Sequence, residues 1–115
     1  MTDHKQQTFR AGIIQMRSSR KIEDNLIEAN RLIRIAAGKG AQYILTPENT
    51  ALMELEPELV KLHAQRFEES SILANFRALA RELKIWLHIG SVAIRLDKKN
   101  HHVNRSCLIS PTGAI

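Results

Sequence analysis

Aromatic side chains are scarce. Trp, Tyr and Phe make up 4% of the 115 residues, so any core must be built from Ile, Leu, Val and Ala. A single cysteine, Cys107, excludes an internal disulfide and makes a reducing, cytoplasmic setting the expectation. No apolar run approaches the roughly 18 residues that a bilayer-spanning helix needs, so no membrane partner is expected. The opening residues, Met1-Thr2-Asp3-His4-Lys5-Gln6-Gln7, are polar and lack the apolar stretch of a secretory signal. Repeats, low-complexity tracts and interdomain linkers are missing too, which leaves one small domain over residues 1–115.

Charge is plentiful but mixed. Lys and Arg outnumber Asp and Glu by 17 to 12, a formal net charge of +5, and this raises the question of nucleic acid. The cations alternate with acids, as in Arg20-Lys21-Ile22-Glu23-Asp24 and Arg66-Phe67-Glu68-Glu69, the pattern of solvated helix faces. No zinc finger, basic zipper or RNP-type strand accompanies them, so nucleic acid is not expected as a partner. A basic nucleic-acid-binding domain stays a rival that salt-dependent binding would separate.

Hydrophobic periodicity outlines the elements. Phe9 to Met16 is a short apolar run that predicts a buried strand, followed by Ser18 and Ser19 as candidate helix caps. From Ile22 the apolar residues recur at Leu26, Ala29, Ile33 and Ala36-Ala37, one face of a helix, with Glu23 and Asp24 at its positive end. Gly38 and Gly40 stop it. Tyr43-Ile44-Leu45 is a second strand closed by Pro47, and strand, helix, strand with short joints implies a parallel pair. The stretch from Ala51 to Ser70 is irregular, with a short helix expected over Leu59 to Phe67. A clearer helix covers Ser71 to Leu83. Ile85 to Ile94 is a third strand, Asp97-Lys98-Lys99-Asn100 a polar turn, and His101 to Ser110 an antiparallel fourth strand. Pro111-Thr112-Gly113 is a further turn, so Ile115 is expected to be an interior point of a longer domain.

The order of these features resembles the nitrilase superfamily of carbon–nitrogen hydrolases, most closely its omega-amidase and deaminated-glutathione-amidase branch. The resemblance rests on a strand ending in Gln15, a helix with Asn25-Leu26 that ends in Ala36-Ala37-x-Gly, and a strand running into Thr46-Pro47-Glu48. It continues through Phe76 to Ile85, His88-Ile89-Gly90-Ser91, Asn104-Arg105-Ser106 and Pro111-Thr112-Gly113. The fold it implies is α/β, the N-terminal part of an α-β-β-α sandwich, with a mixed sheet and helices on one face. The chemistry it implies is cleavage of a small linear carboxamide by a Glu–Lys–Cys mechanism without a cofactor. In that mechanism the cysteine forms an acyl-enzyme, the glutamate moves protons and the lysine stabilises the oxyanion.

Only the glutamate has a counterpart here, Glu48, whose place beyond a parallel strand's carboxyl end suits a ligand site. The lysine and the nucleophilic cysteine are expected outside this sequence, so the chain alone is expected to be inactive. Cys107 lies in a strand with no helix after it and reads as a packing residue. The alternative is a naturally short, non-catalytic nitrilase-like interaction module. An open sheet edge and an uncovered apolar face make self-association, as a homo-oligomer, the expected physical state.

Other constellations read as structural. Gly38-Lys39-Gly40 follows a helix, the wrong place for a dinucleotide fingerprint. His4, His63, His88, His101 and His102 lack metal-ligand spacing, and Gly90-Ser91 is not a nucleophile elbow. Gln15 and Asn25 are expected to fix loops beneath the site by side-chain hydrogen bonds. The loop Asn49-Thr50-Ala51-Leu52-Met53 is where the resemblance places part of the substrate selectivity.

Overall fold

The structure is a computed structural model and describes residues 7–96 and 101–115. Its elements are β1 (Ala11–Ile13), α1 (Ile22–Gly38), β2 (Tyr43–Leu45), α2 (Pro57–His63), β3 (Gln65–Arg66), α3 (Ser71–Leu83), β4 (Trp86–Arg95) and β5 (His102–Ile109). The expected turn Asp97-Lys98-Lys99-Asn100 lies outside the described residues.

Sequence chemistry accounts for the two long helices. In α1, Asn25, Ala29 and Ile33 form the buried stripe, and Glu23 and Asp24 sit in the first turn where the helix dipole favours them. The helix ends in a Schellman arrangement: Gly40 N donates to the Ala37 carbonyl at 3.0 Å and Ala41 N to the Ala36 carbonyl at 3.1 Å. That geometry requires the positive φ of 90° found at Gly40. In α3, Ser70 caps the first turn by accepting from Leu73 N at 3.1 Å. Ile72, Leu73, Phe76, Leu79 and Ala80 make its buried face.

The central strand is β4. It pairs in parallel with β2 through Trp86, Leu87 and His88, in parallel with β3 through Ile94 and Arg95, and antiparallel with β5 along its length. Because β5 opposes both the Leu87 and the Ile94 regions, β2 and β3 share the other edge of β4. β1 joins β2 in parallel and closes that side. The sheet is mixed, as expected.

Helices α1 and α3 pack on one face and on each other. Gly12, Ile44, Leu87, Ile89, Val92, Ile94, Cys107 and Ile109 belong to the core on that side. Gly12 allows α1 to come close, since a Cβ there would lie 3.1 Å from the Ala36 Cβ. The opposite face carries Phe9, Ile13, Trp86 and Leu108, which are 68%, 74%, 46% and 46% exposed and form an uncovered apolar surface.

Three local expectations are corrected. Ser18 and Ser19 do not cap α1, whose N-cap is Lys21 without a side-chain bond. They brace loops instead: Ser18 Oγ donates to the Thr50 carbonyl at 3.2 Å and Ser19 Oγ accepts from Lys21 N at 3.1 Å. The helix expected over Leu59 to Phe67 begins earlier, at Pro57, and ends at His63. Proline suits the first helical position because its missing N–H has no helical partner to lose. Finally, β1 is three residues long rather than the whole Phe9–Met16 run.

Candidate active site

Glu48 lies just beyond β2, at the carboxyl end of a parallel strand. It is exposed, and its carboxylate has no hydrogen-bond or ion-pair partner among the described residues. The turn that carries it is held tightly. Thr46 N donates to the His88 carbonyl at 2.9 Å and Thr50 N to the Ser91 carbonyl at 3.3 Å, extending the β2–β4 pairing around the turn. Asn49, in the left-handed region at φ 52°, donates its N–H to Ser91 Oγ at 2.8 Å.

Beneath the turn runs a directed chain of hydrogen bonds. Gly90 N donates to Thr46 Oγ1 at 3.2 Å. Thr50 Oγ1 donates its single proton to the Pro47 carbonyl. Thr46 must therefore be the donor in its 2.8 Å contact with Thr50 Oγ1. Thr46 and Thr50 are 2% and 0% exposed, so these bonds are sheltered from water.

Gly90 makes the close approach possible. A Cβ at this position would stand 2.5 Å from the Pro47 carbonyl carbon and oxygen and from the Thr46 carbonyl oxygen, all backbone atoms. No side chain fits, and the Glu48 turn rests directly on β4.

Asn25 does what was expected of it. Its Oδ1 accepts from Ser19 N at 2.7 Å and Ser19 Oγ at 3.2 Å, and its Nδ2 donates to the Ser19 and Ala51 carbonyls at 2.7 and 2.8 Å. One 3%-exposed side chain thus ties the start of α1 to the loop after Glu48. Gln15 does not share this role: it is exposed and makes no side-chain hydrogen bond among the described residues.

Cys107 is 2% exposed and belongs to the core between sheet and helices. Burial pushes its thiol above the usual range, with Arg105 opposing only in part. A nucleophile needs the opposite shift. Cys107 is a packing residue of this core.

A second polar group spans three strands on the uncovered face. Tyr43 Oη lies 2.5 Å from His88 Nδ1, and His88 Nε2 lies 2.8 Å from Ser106 Oγ. Ser106 Oγ also donates to the Ile89 carbonyl at 3.2 Å, which uses its only proton. His88 therefore donates from Nε2 and accepts from Tyr43 at Nδ1. This is the reverse of what serine activation requires, since the base must accept from the serine. The group staples β2, β4 and β5 and is not a hydrolase triad.

Beside the Glu48 turn opens a cleft of about 310 Å³ bounded by the 49–55 loop, α2 and the β4–β5 pair. Asn49, Glu54, His63, His102 and Asn104 supply its polar lining. Glu54 is 4% exposed in its side chain and pairs with Arg20 Nε at 3.3 Å. No cluster of three or more His, Cys, Asp or Glu side chains suited to a metal occurs among the described residues. None of the described helices is long and apolar enough to cross a membrane.

The sequence singled out Glu48, Asn25 and the 49–53 loop, and the fold gathers all three at one sheet end. The Thr46–Thr50 chain and the Ser91 anchor were missed. Two threonines four residues apart around a Pro-Glu turn, with a Gly-Ser pair on a later strand, were the available signal.

A central mixed sheet, helices packed on one face and a free carboxylate on a clamped turn at a strand end define an α/β domain with a candidate site at that end. The carbon–nitrogen hydrolase family model matches residues 10–115, and the chain belongs to that family. It is 28% identical over 80 residues to a deaminated glutathione amidase of Yersinia enterocolitica, a match covering 70% of this chain and 27% of that protein. A Saccharomyces cerevisiae member of the nitrilase superfamily superposes with a TM-score of 0.81 at 18% identity, over 93% of this chain and 41% of its own. The NitFhit protein of C. elegans gives 0.77 at 23% identity, over 90% and 25%. An amidase from Nesterenkonia sp. gives 0.75 at 20%, over 92% and 40%. These structural likenesses establish the nitrilase fold, and the chain spans well under half the length of each relative.

Proposed function

We propose that Glu48 is the general base and acid of an amidase that cleaves small linear carboxamides, with the oxyanion lysine and the nucleophilic cysteine lying outside these 115 residues. The observation that carries this is the exposed Glu48 carboxylate, unpaired on a turn that Thr46, Thr50, Gly90, Ser91 and Asn25 hold rigid. Nothing among the described residues uses that charge, and a preorganised, free carboxylate is what proton transfer requires. The amidases among the relatives support the substrate class. In a mutant of the Nesterenkonia amidase, acrylamide has added by Michael addition at the active-site cysteine, so that relative carries a reactive cysteine of the kind the proposal calls for.

In this mechanism Glu48 takes the thiol proton as the sulfur bonds to the amide carbon. It returns that proton to the nitrogen as the C–N bond breaks and ammonia leaves. Water, deprotonated by Glu48, then hydrolyses the thioester.

Ammonia release from a panel of dicarboxylic-acid monoamides tests this on the product of the complete reading frame. Glu48→Gln keeps the shape of the side chain but cannot accept a proton, and is expected to lower turnover by roughly 100- to 10,000-fold. Turnover unchanged by that substitution would sink the assignment. The 115-residue chain by itself is expected to release ammonia at the buffer rate. A homo-oligomer associated through the uncovered sheet face belongs to the same proposal.

A further inference from the structure

Three successive residues ahead of α1 hold the loop that follows Glu48. Ser18 Oγ donates to the Thr50 carbonyl at 3.2 Å, Met53 N donates to the Ser19 carbonyl at 3.0 Å, and Arg20 Nε meets Glu54 Oε2 at 3.3 Å. The third contact differs from the others because it places a charge out of water. The Glu54 side chain is 4% exposed, while that of Arg20 is 70% exposed. A carboxylate withdrawn from water is costly unless its charge is met. Glu54 is met twice, by Arg20 at one oxygen and by the Glu56 N–H, 3.2 Å from Oε1, at the other. The second bond shapes the turn that leads into α2 at Pro57.

Glu54 stands on the wall of the 310 Å³ cleft, with Asn49, Leu52 and Leu55 from the same loop. The loop is anchored at its start by Asn49 on Ser91 and at its end by Glu54 on Arg20. Packing does little for that end, since Met53 and Leu55 are 42% and 83% exposed. Polar ties therefore decide where this wall of the cleft stands.

We propose that Glu54 is a positioning residue: locked by Arg20 and the Glu56 N–H, it sets the loop wall against which the chain of a linear amide lies while its carbonyl is at Glu48. The substrate in this statement rests on the proposed function, whereas the lock is a property of the loop itself. Losing Arg20 strands the buried charge, so Glu54 turns toward water and carries the end of the loop with it, widening the cleft. The Glu48 turn is seated separately on β4, through Gly90 and Ser91, and keeps its place. The loss then falls on substrate binding and not on proton transfer.

The complete enzyme, assayed with neutral linear amides, tests this. Arg20→Gln should raise KM about tenfold and leave kcat within about twofold. Glu54→Gln supplies a neutral side chain that tolerates burial without a cation. Added to Arg20→Gln, it should bring KM back to within about threefold of the unsubstituted enzyme. Arg31→Gln, which breaks the exposed pair with Glu28, should change neither constant. Additive losses in the double variant, or a fall in kcat that matches the rise in KM, would overturn the positioning role. Hydrogen exchange gives a readout free of catalysis: the Met53 and Glu56 amides should exchange about tenfold faster in Arg20→Gln and recover in the double variant. Exchange unchanged by Arg20→Gln would overturn the lock. Turnover that survives Glu48→Gln would instead sink the catalytic assignment and leave the exchange result standing.

Discussion

Asn25 joins two stretches of chain that are distant in sequence, and its four hydrogen bonds leave no polar atom of its amide idle. Truncation to alanine would strand the Ala51 carbonyl in a buried setting and free the loop behind Glu48. A buried polar group left unsatisfied costs about 1–3 kcal/mol, and more than one is affected here. Asn25→Ala is therefore expected to lower stability by about 2–4 kcal/mol in urea denaturation, with Glu48 itself untouched. A loss below about 0.5 kcal/mol, the range of neutral surface changes, would mean the network is not holding the loop. This residue was legible in sequence as a polar position on an apolar helix face. Gln15 had a similar signature but points to solvent, because edge position alone does not fix the direction of a side chain.

Among the elements, α1, α3, β4 and β5 were legible because each repeats its period long enough to be distinguished from chance. Their ends moved by one or two residues at most where β4 and β5 are concerned. The two-residue β3 was not legible, since its pairing with Ile94 and Arg95 is set by the path of the chain and not by local preference. The Glu48 turn was legible only as a motif. The bonds that seat it on β4 are tertiary, between residues over forty positions apart such as Thr46 and Gly90 or Asn49 and Ser91. A local rule does hold at α3, where Ser70 is 7% exposed and caps the helix. Ser70→Ala should cost about 1 kcal/mol, read as a lower urea midpoint with an unchanged slope. Ser71→Ala, one residue further along, serves as the comparison and should cost less.

At the scale of the molecule, one sheet face is sealed by α1 and α3 while the other presents Phe9, Ile13, Trp86 and Leu108 to water. Edge strands β1 and β5 add unpaired backbone groups at the borders of the sheet. The chain by itself is expected to associate through this face, giving a sedimentation coefficient that rises with concentration. Trp86, the sole tryptophan, is 46% exposed, so its emission should shift to the blue as association buries it. A monomer at every concentration, with unshifted emission, would count against self-association.

The contact between Gly90 and the Thr46–Pro47 backbone separates two kinds of tolerance within one site. Position 90 answers to geometry alone: any heavier residue lifts the turn from its seat, whatever reaction the protein performs. Position 48 is free of that constraint, since its side chain faces solvent and has no partner among the described residues. On the proposed function, a lineage that gave up the proton transfer would be free to rewrite position 48 while still obliged to keep the glycine. The glycine then records ancestry in the fold, and the glutamate the proposed chemistry.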